Sequence, residues 1–379
     1  MPLPWLRFEL PTRLGAFYFA FFAYAAAYVA YFPLYLAGRG LDAAAIALVL
    51  ALPQLARIFA PALWGWVADR AGARGGIVVA SCASMAVCFA ALPFVDAAGI
   101  AWLIGITGIV SAGALPLVEA IALGIPGGPA RYGPIRLWGS VGFIAVVLGG
   151  GVWLDHFSPA TVAPAMAVLA VAAVAAATGL PGGKRQANGT SLSVRLTPEA
   201  RAVLGAGFCM AAAHGALYAF LTLHLQRLGY SGTTIGALWT LGVIAEILVF
   251  YYLPHLLRRY ALSSILLFSF GCAVARFLGI AWLAGAFWLI ALAQVLHAAT
   301  FGSFHAASVA AIHRVFPDTA HARGQALFSS ASYGAGGAIG AMMAGWAWDA
   351  HGAGLAFTGA ALFGLFGAHF AYRLRRAGL

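Results

Sequence analysis

Four charged side chains lie inside long apolar stretches of the sequence: Arg57, Glu119, Glu246 and Arg276. A charge at the centre of a bilayer costs at least about 2.5 kcal/mol on insertion scales, so a charge at that depth usually has a partner and a role. Two residues of each sign permit neutral pairing. The pattern therefore predicts either structural ion pairs or a site that handles a proton or a polar solute, and the sequence leaves both open.

A second pattern is a polar and aromatic stripe on one helical face, formed by Gln294, His297, Phe301 and His305. Their spacing of i, i+3, i+7 and i+11 puts them on one side of a helix. Such a stripe in an apolar helix is expected to face a water-filled cavity. His214, with Tyr218 one turn on, forms a smaller face of the same kind. Neutral histidine can bind a substrate or take a proton, although a buried histidine is often only hydrogen-bonded to its own helix.

The composition indicates that these side chains lie on membrane-spanning helices. Hydrophobic residues make up 63% of the chain, charged residues 8%, and the mean hydropathy is +0.93. A helical span needs about 20 apolar residues. We therefore predict an all-α integral membrane protein with twelve spans, near residues 14–37, 43–65, 77–95, 100–124, 135–154, 161–180, 201–226, 233–255, 262–283, 287–312, 324–348 and 354–372.

The basic residues indicate the orientation. All but four of the 21 Lys and Arg residues lie in the termini and in alternate loops. Since basic residues concentrate on the cytoplasmic side, both termini are expected in the cytoplasm, which requires an even number of spans. The same distribution explains the net charge of +11 without a nucleic-acid partner.

The longest polar stretch divides the spans six and six. We predict an N-terminal bundle over 1–180, a cytoplasmic linker over 181–200 and a C-terminal bundle over 201–379. The halves look related, because Gly40, Ile46 and Arg57 recur as Gly229, Ile235 and Glu246 at a constant offset. Internal repeats in a protein with many spans are typical of transporters.

The break after span two carries a family resemblance. Its residues Gly65, Asp69, Arg70, Gly72 and Arg74 resemble the Gly-x-x-x-Asp-Arg-x-Gly loop of the major facilitator superfamily. In this reading Gly65 permits close helix approach, Gly72 forms the turn, and Asp69 accepts hydrogen bonds from a helix end or from Arg136, holding one conformational state. The alternative is an ordinary basic loop.

Three further motifs are similar to the phenylpropionate-permease-like group of this superfamily. They are Tyr132–Phe143, the segment from Trp239 to Glu246, and Gln294 to Phe301. The resemblance covers nearly the whole chain and implies two six-helix bundles and uptake driven by protons.

The same group is similar to the lactose permease, and Glu246, Arg276 and His297 match by span and context residues that bind substrate and lie near the proton site there. The permease's glutamate three residues after the histidine is replaced by Thr300. The resemblance therefore leaves Glu246 or Glu119 to carry a proton.

We expect a proton-coupled symporter of a small organic solute, favouring an aromatic acid, in the cell inner membrane. Arg276 or Arg57 would attract a carboxylate. Further contacts would come from His297, His214, Tyr218, Trp239, Gln294 and Phe301. A drug exporter or facilitator, and a sensor that binds without transport, remain alternatives.

Enzyme motifs are missing from the sequence, including a Walker loop and a His-Glu-x-x-His helix. We therefore expect no enzymatic activity, no metal and no cofactor. The expected partners are the solute, protons and lipid, with the protein acting as a monomer.

Overall fold

The computed structural model describes residues 9–182 and 196–379, and the regular secondary structure of these residues is helical. The α-helices of the first part are α1 Leu10–Ala30, α2 Phe32–Gly38, α3 Ala43–Ala56, α4 Ala60–Ala71, α5 Arg74–Ala91, α6 Ala97–Ser111, α7 Ala114–Leu123, α8 Gly128–His156 and α9 Val162–Ala177. Those of the second part are α10 Pro198–Arg227, α11 Gly232–Arg259, α12 Leu262–Leu283, α13 Phe287–Val295, α14 Phe304–Val315, α15 His321–Ser329 and α16 Gly337–Arg376.

Two π-helices interrupt the second part, Ala298–Ser303 between α13 and α14 and Ser330–Gly336 between α15 and α16. A π-helix is rare and occurs mostly as a single wide turn inside an α-helix, frequently at a functional site. Both π-helices therefore mark places where the backbone departs from the regular packing of a span.

Eleven segments of the described residues are long and apolar enough to cross a membrane. Ten of them overlap predicted spans one to ten, with boundaries that differ by at most seven residues. The last, His321–Arg376, covers 56 residues, which is far more than one crossing needs. Gly352 interrupts it with φ 79° and ψ −170°, a conformation that excludes a residue with a side chain. The break falls where the sequence predicts the end of span eleven, and the count of twelve stays a prediction.

Proline explains two of the breaks within spans. Pro33 lies in the first turn of α2 and Pro61 in the first turn of α4. Proline has no N–H to donate to the carbonyl four residues earlier, so a helix restarts most easily with proline in its first turn. Span two therefore breaks between Ala56 and Ala60, next to Arg57.

The contacts between residues divide the chain into two compact units. The first takes in Met1–Leu41 and Phe59–Gly189 and the second Asp42–Ile58 and Thr190–Leu379, as far as these residues are described. The predicted linker over 181–200 falls largely on residues 183–195, outside the described part. Its end is ordered, because Thr197 accepts a hydrogen bond from the N–H of Ala200 and begins α10 at Pro198.

The internal repeat is visible in the backbone. Gly40 has φ 82° and Gly229 has φ 87°. Two residues later each chain segment begins a helix with a side-chain cap, Asp42 for α3 and Ser231 for α11. The matching turn and cap give the sequence repeat a structural basis.

In the first unit, α1 and α8 pack over a core of large apolar side chains from several helices, among them Leu14, Phe17, Val78, Val118 and Ile135. In the second unit α10 is buried along most of its length and packs against α16. A Cβ at Gly340 would lie 2.0 Å from the carbonyl oxygen of Ala212, so the two backbones are in direct contact. This close packing fixes α10, which carries His214.

Residues 42–58 pack in the second unit through α3. The carboxylate of Asp349 accepts hydrogen bonds from the N–H groups of Ala43 and Ala44, at 3.1 and 2.8 Å. The first N–H groups of a helix have no partner within the helix and attract negative charge. Asp349 therefore ties the start of α3 to α16.

Candidate functional site

Arg276 is the centre of a polar cluster inside the second unit. Its side chain lies on α12 and is 1% exposed. Its Nη1 lies 3.0 Å from His297 Nδ1, 3.0 Å from Thr300 Oγ1 and 3.3 Å from His214 Nε2, and its Nη2 lies 3.4 Å from Gln294 Oε1. Neutral hydrogen-bonding groups from α10, from α13 and from the first π-helix with the residue before it thus surround one buried cation.

The hydrogen bonds determine which histidine nitrogens carry hydrogen. His214 Nδ1 lies 2.9 Å from the carbonyl oxygen of Met210, which can only accept, so His214 Nε2 is left to accept from Arg276. His297 accepts from Arg276 through Nδ1, so its hydrogen is on Nε2. Both imidazoles are therefore neutral acceptors towards the guanidinium.

The hydrogen-bearing nitrogen of His297 points to a carboxylate. Its Nε2 lies 3.7 Å from Glu246 Oε2, a distance longer than a hydrogen bond. The side chain of Glu246 is 20% exposed, and its Cγ lies 3.5 Å from the Cβ position of Gly302 in the first π-helix. His297 therefore stands between the cation Arg276 and the anion Glu246.

This order decides where a proton can go. A proton added to His297 would enter at Nδ1, which faces the guanidinium at 3.0 Å, and two like charges at that distance repel strongly. The geometry therefore disfavours a proton on His297.

Aromatic rings line the cluster. His297 and Phe301 are stacked at 5.4 Å with 16° between the planes, and Tyr218 and Trp239 at 6.4 Å with 16°. The indole N–H of Trp239 donates to Thr222 Oγ1 at 3.0 Å. Flat apolar surface therefore lies beside the polar groups, as in sites that bind small organic molecules.

The structure brings together most of the residues predicted for the site. Glu246, Arg276, His297, His214, Tyr218, Trp239, Gln294 and Phe301 all lie in the second unit. Arg57 also belongs to that unit but lies at the end of α3, in the break of span two, with an exposed side chain. Arg57 thus lies within the second candidate membrane span, as predicted, but at the point where its helix is interrupted, and its side chain is exposed instead of buried.

Glu119 belongs to the first unit. It lies on α7, half-buried, and its Oε1 accepts a hydrogen bond of 3.2 Å from the hydroxyl of Tyr132. Arg136 lies on the same helix as Tyr132, with its guanidinium 3.8 Å from the ring centroid of Phe22. The two predicted proton-binding carboxylates therefore have different surroundings.

The loop after span two differs from its prediction in two respects. Asp69 Oδ1 accepts from Arg74 Nη2 at 3.0 Å, so its ion-pair partner is in the loop itself, while Arg136 lies over the Phe22 ring. A Cβ at Gly65 would meet no described atom within 4 Å, so close helix approach does not require this glycine. Gly72, with φ 65°, does end α4 with a left-handed turn. Arg70 lies 4.2 Å from the ring of Trp66.

Two residues of the cluster's surroundings were missed. In the sequence, Thr300 was noted only as the replacement for a glutamate. In the structure, its hydroxyl oxygen lies 3.0 Å from Arg276 Nη1. Tyr333, in the second π-helix, lies with its hydroxyl 2.9 Å from His305 Nδ1. The spacing in the sequence gives no signal for this second contact, since 28 residues separate the pair.

Known proteins resemble most of the chain. The sequence profile of the MFS_1 like family matches residues 11–359. The probable 3-phenylpropionic acid transporter of Escherichia coli (strain K12) is 29% identical over 308 residues, covering 77% of this chain and 79% of the relative. The maltose permease of Geobacillus stearothermophilus is 28% identical over 342 residues, covering 86% and 84%.

Solved structures agree on the fold. A point mutant of the nucleoside transporter NupG superimposes with a TM-score of 0.84 at 19% identity, over 97% of this chain and 99% of that one. The family profile and this fold lead to one assignment. The chain belongs to the MFS_1 like family and is a multi-span membrane transporter of the major facilitator superfamily for a small solute.

Proposed function

We propose that this protein takes up a small organic acid together with a proton, and that an aromatic acid is the preferred substrate. The observation that carries the proposal is the buried guanidinium of Arg276 among neutral partners. The proposed setting is the cell inner membrane, with twelve spans in two six-helix bundles, both termini in the cytoplasm and the protein acting as a monomer.

The charge of the cluster argues for an anionic ligand. The four hydrogen-bond partners of Arg276 are uncharged, and an unpaired charge in a low-dielectric interior is costly. A substrate carboxylate would neutralise the guanidinium and can bind it through two parallel hydrogen bonds. A neutral sugar or nucleoside would supply hydrogen-bond acceptors but no negative charge.

The hydrogen-bond inventory argues for the same ligand. Among the described residues, Arg276 Nε and Gln294 Nε2 are buried donors without an acceptor. Each such group costs about 1–3 kcal/mol. A carboxylate carries acceptor lone pairs and no donor, so it matches a site with surplus donors.

Glu246 is the proposed proton carrier, and Glu119 the alternative. His297 connects Glu246 to Arg276, so a carboxylate on Arg276 and a charged Glu246 would lie near each other. Protonation of Glu246 would remove that repulsion and favour binding of the substrate anion. Proton and substrate would then shift the conformational equilibrium together, through their differential affinity for its states.

The relatives and the aromatic rings support the choice of substrate class. One relative is named as a probable transporter of 3-phenylpropionic acid, a carboxylate on a short chain with a ring. The stacked pairs of His297 with Phe301 and Tyr218 with Trp239 supply surface for such a ring. Arg57 and His214 would complete the substrate-binding set, and the loop of Asp69, Arg70 and Arg74 would act in the conformational change.

Uptake into proteoliposomes tests the proposal. We would measure accumulation of labelled 3-phenylpropionate, a nucleoside, a disaccharide and a polyamine, with and without an inward proton gradient. Accumulation of 3-phenylpropionate that rises with the gradient is expected. Gradient-driven accumulation of another compound would overturn the substrate class, and efflux against the gradient would identify an exporter.

A further inference from the structure

His305 and Tyr333 form a polar contact at the far end of the aromatic stripe from Arg276. His305 Nδ1 and the Tyr333 hydroxyl are 2.9 Å apart, and both side chains are half-buried. The rings of His297, Phe301 and His305 form a row, with centroids 5.4 and 6.2 Å apart and planes inclined by 16° and 10°. We propose that this pair recognises a hydroxyl group on the distal ring of an aromatic acid held by Arg276, an inference that rests on the proposed function.

The first π-helix bears on how His305 lines up with His297. Eight residues of an α-helix advance about 80° beyond two full turns, which would put His305 at the edge of the face that carries His297. The wider turn of Ala298–Ser303 holds more residues, so the two histidines come back to one face. The irregular backbone therefore aligns His305 with the Arg276 cluster.

The second π-helix fixes Tyr333. A Cβ at Gly336 would lie 2.5 Å from the carbonyl oxygen of Phe208, so the segment Ser330–Gly336 packs directly on the backbone of α10. The ring of Tyr333 also packs edge-on against Phe328, with centroids 6.4 Å apart. The hydroxyl is held in place by the same kind of packing that fixes His214.

The contact offers one donor and one acceptor, whichever nitrogen of His305 carries hydrogen. If Tyr333 donates to Nδ1, then Nε2–H is a donor and the phenol oxygen an acceptor. If Nδ1–H donates to Tyr333, then Nε2 is an acceptor and the phenol O–H a donor. A hydroxyl both donates and accepts, so it satisfies the pair in either form. A second carboxylate only accepts and an ammonium only donates.

The distance suits one molecule of this class. His305 lies two turns from His297, about 11 Å along the helix, and His297 touches the guanidinium of Arg276. An aromatic acid with its carboxylate on Arg276 would lay its ring along Phe301, and a para hydroxyl would extend towards His305. The stripe thus has an anion-binding end and a hydroxyl-binding end, with a flat apolar surface between them.

Uptake of two matched acids tests the inference. We would measure apparent KM for 3-phenylpropionate and 3-(4-hydroxyphenyl)propionate in proteoliposomes containing the full chain. In the wild type the hydroxylated acid should have the lower KM, by about two- to tenfold, as expected for hydrogen bonds of ordinary strength. Tyr333→Phe and His305→Leu should each remove this preference, raising KM for the hydroxylated acid more than for the other.

Three further variants keep the test decisive. His305→Gln, whose amide both donates and accepts, should retain part of the preference. Tyr372→Phe makes the same chemical change at an exposed tyrosine and should keep the wild-type ratio of KM values. Arg276→Gln should lose uptake of both acids.

The outcomes separate the two proposals. Equal KM values in the wild type, or equal losses for both acids in Tyr333→Phe, would overturn the hydroxyl site and leave the organic-acid function standing. Transport of neither acid by folded wild-type protein, judged by its melting temperature in detergent, would overturn both.

Discussion

The two units contain polar clusters of opposite design. In the second unit a buried cation, Arg276, is surrounded by neutral acceptors, and the carboxylate of Glu246 lies beyond His297. In the first unit a carboxylate, Glu119, accepts from the Tyr132 hydroxyl, and the cation Arg136 lies against an aromatic ring. One cluster has surplus donors and positive charge, and the other has a carboxylate with a neutral donor.

This difference bears on which cluster can bind an anion. A site with a buried guanidinium and donors without acceptors is suited to an anion, since an anion supplies both charge and lone pairs. The half-buried carboxylate of Glu119, with one hydroxyl partner, is itself negative and accepts hydrogen bonds, so it is not suited to an anion. Charge alone would not distinguish the clusters, because each contains an acidic and a basic residue. The clusters differ in which of these residues is surrounded by the neutral hydrogen-bonding groups: Arg276 in the second unit and Glu119 in the first.

Removing the guanidinium should give the largest effect. Arg276→Gln leaves the site without its charge, and uptake of the organic acid should fall at least about 100-fold, equivalent to about 2.7 kcal/mol. Arg276→Lys should also fail, because an ammonium cannot reproduce the planar fork. The measurement is initial uptake in proteoliposomes, with Arg258→Gln at an exposed position as the control. Uptake within threefold of wild type would show that the anion binds elsewhere.

Replacing each of the two carboxylates by its amide, one at a time, should show which cluster binds the proton. Glu246→Gln imitates a permanently protonated carboxyl, so accumulation against a gradient should be lost while exchange of internal for external substrate continues. Glu119→Gln, the same change in the first unit, should retain accumulation. Flux with and without a proton gradient distinguishes them. If accumulation survives in Glu246→Gln and fails in Glu119→Gln, the proton assignment is reversed.

The smallest expected effect is at the hydroxyl beside Glu119. Tyr132→Phe removes one hydrogen bond of 3.2 Å, and such a bond contributes about 1 kcal/mol. The maximal uptake rate should fall by less than about tenfold, with KM for the substrate unchanged, because the proposed substrate site lies in the second unit. Tyr260→Phe at an exposed position is the matched change. A large rise in KM would mean that this cluster also binds substrate.

The sequence predicts much of the fold because the positions of the spans follow from where apolar and charged residues lie along the chain. Predicted spans one to ten overlap the segments in the structure, with boundaries that differ by at most seven residues, and α12 begins and ends at the predicted residues. The break at Gly352 is also marked by glycine in the sequence. The interruption of span two at Arg57 was not predicted, although Pro61 lies in the first turn of the helix that restarts after it.

The candidate site was predictable where its residues follow helical periodicity or stand out as charges in apolar sequence. His297 and Gln294 lie on one face, and Arg276 is a buried charge. Periodicity cannot supply contacts between different helices, such as His305 with Tyr333, Asp349 with the start of α3, and Asp69 with Arg74 of the next helix in place of Arg136. These contacts depend on packing, and the contact of His305 with Tyr333 also depends on the two π-helices, for which the sequence carries no evident pattern.

The first π-helix also bears on how such a site could arise. A π-helix is equivalent to one extra residue in an otherwise regular helix, and the flanking turns keep their orientation. Deleting a single codon within Ala298–Ser303 would restore α-helical geometry, with a spacing of seven residues from one histidine to the other instead of eight. Seven residues complete nearly two α-helical turns, so His297 and His305 would still share a face. The side chain that lies between the two histidines and contacts Arg276, now Thr300, would change. A one-residue deletion without any substitution is therefore expected to alter the substrate specificity.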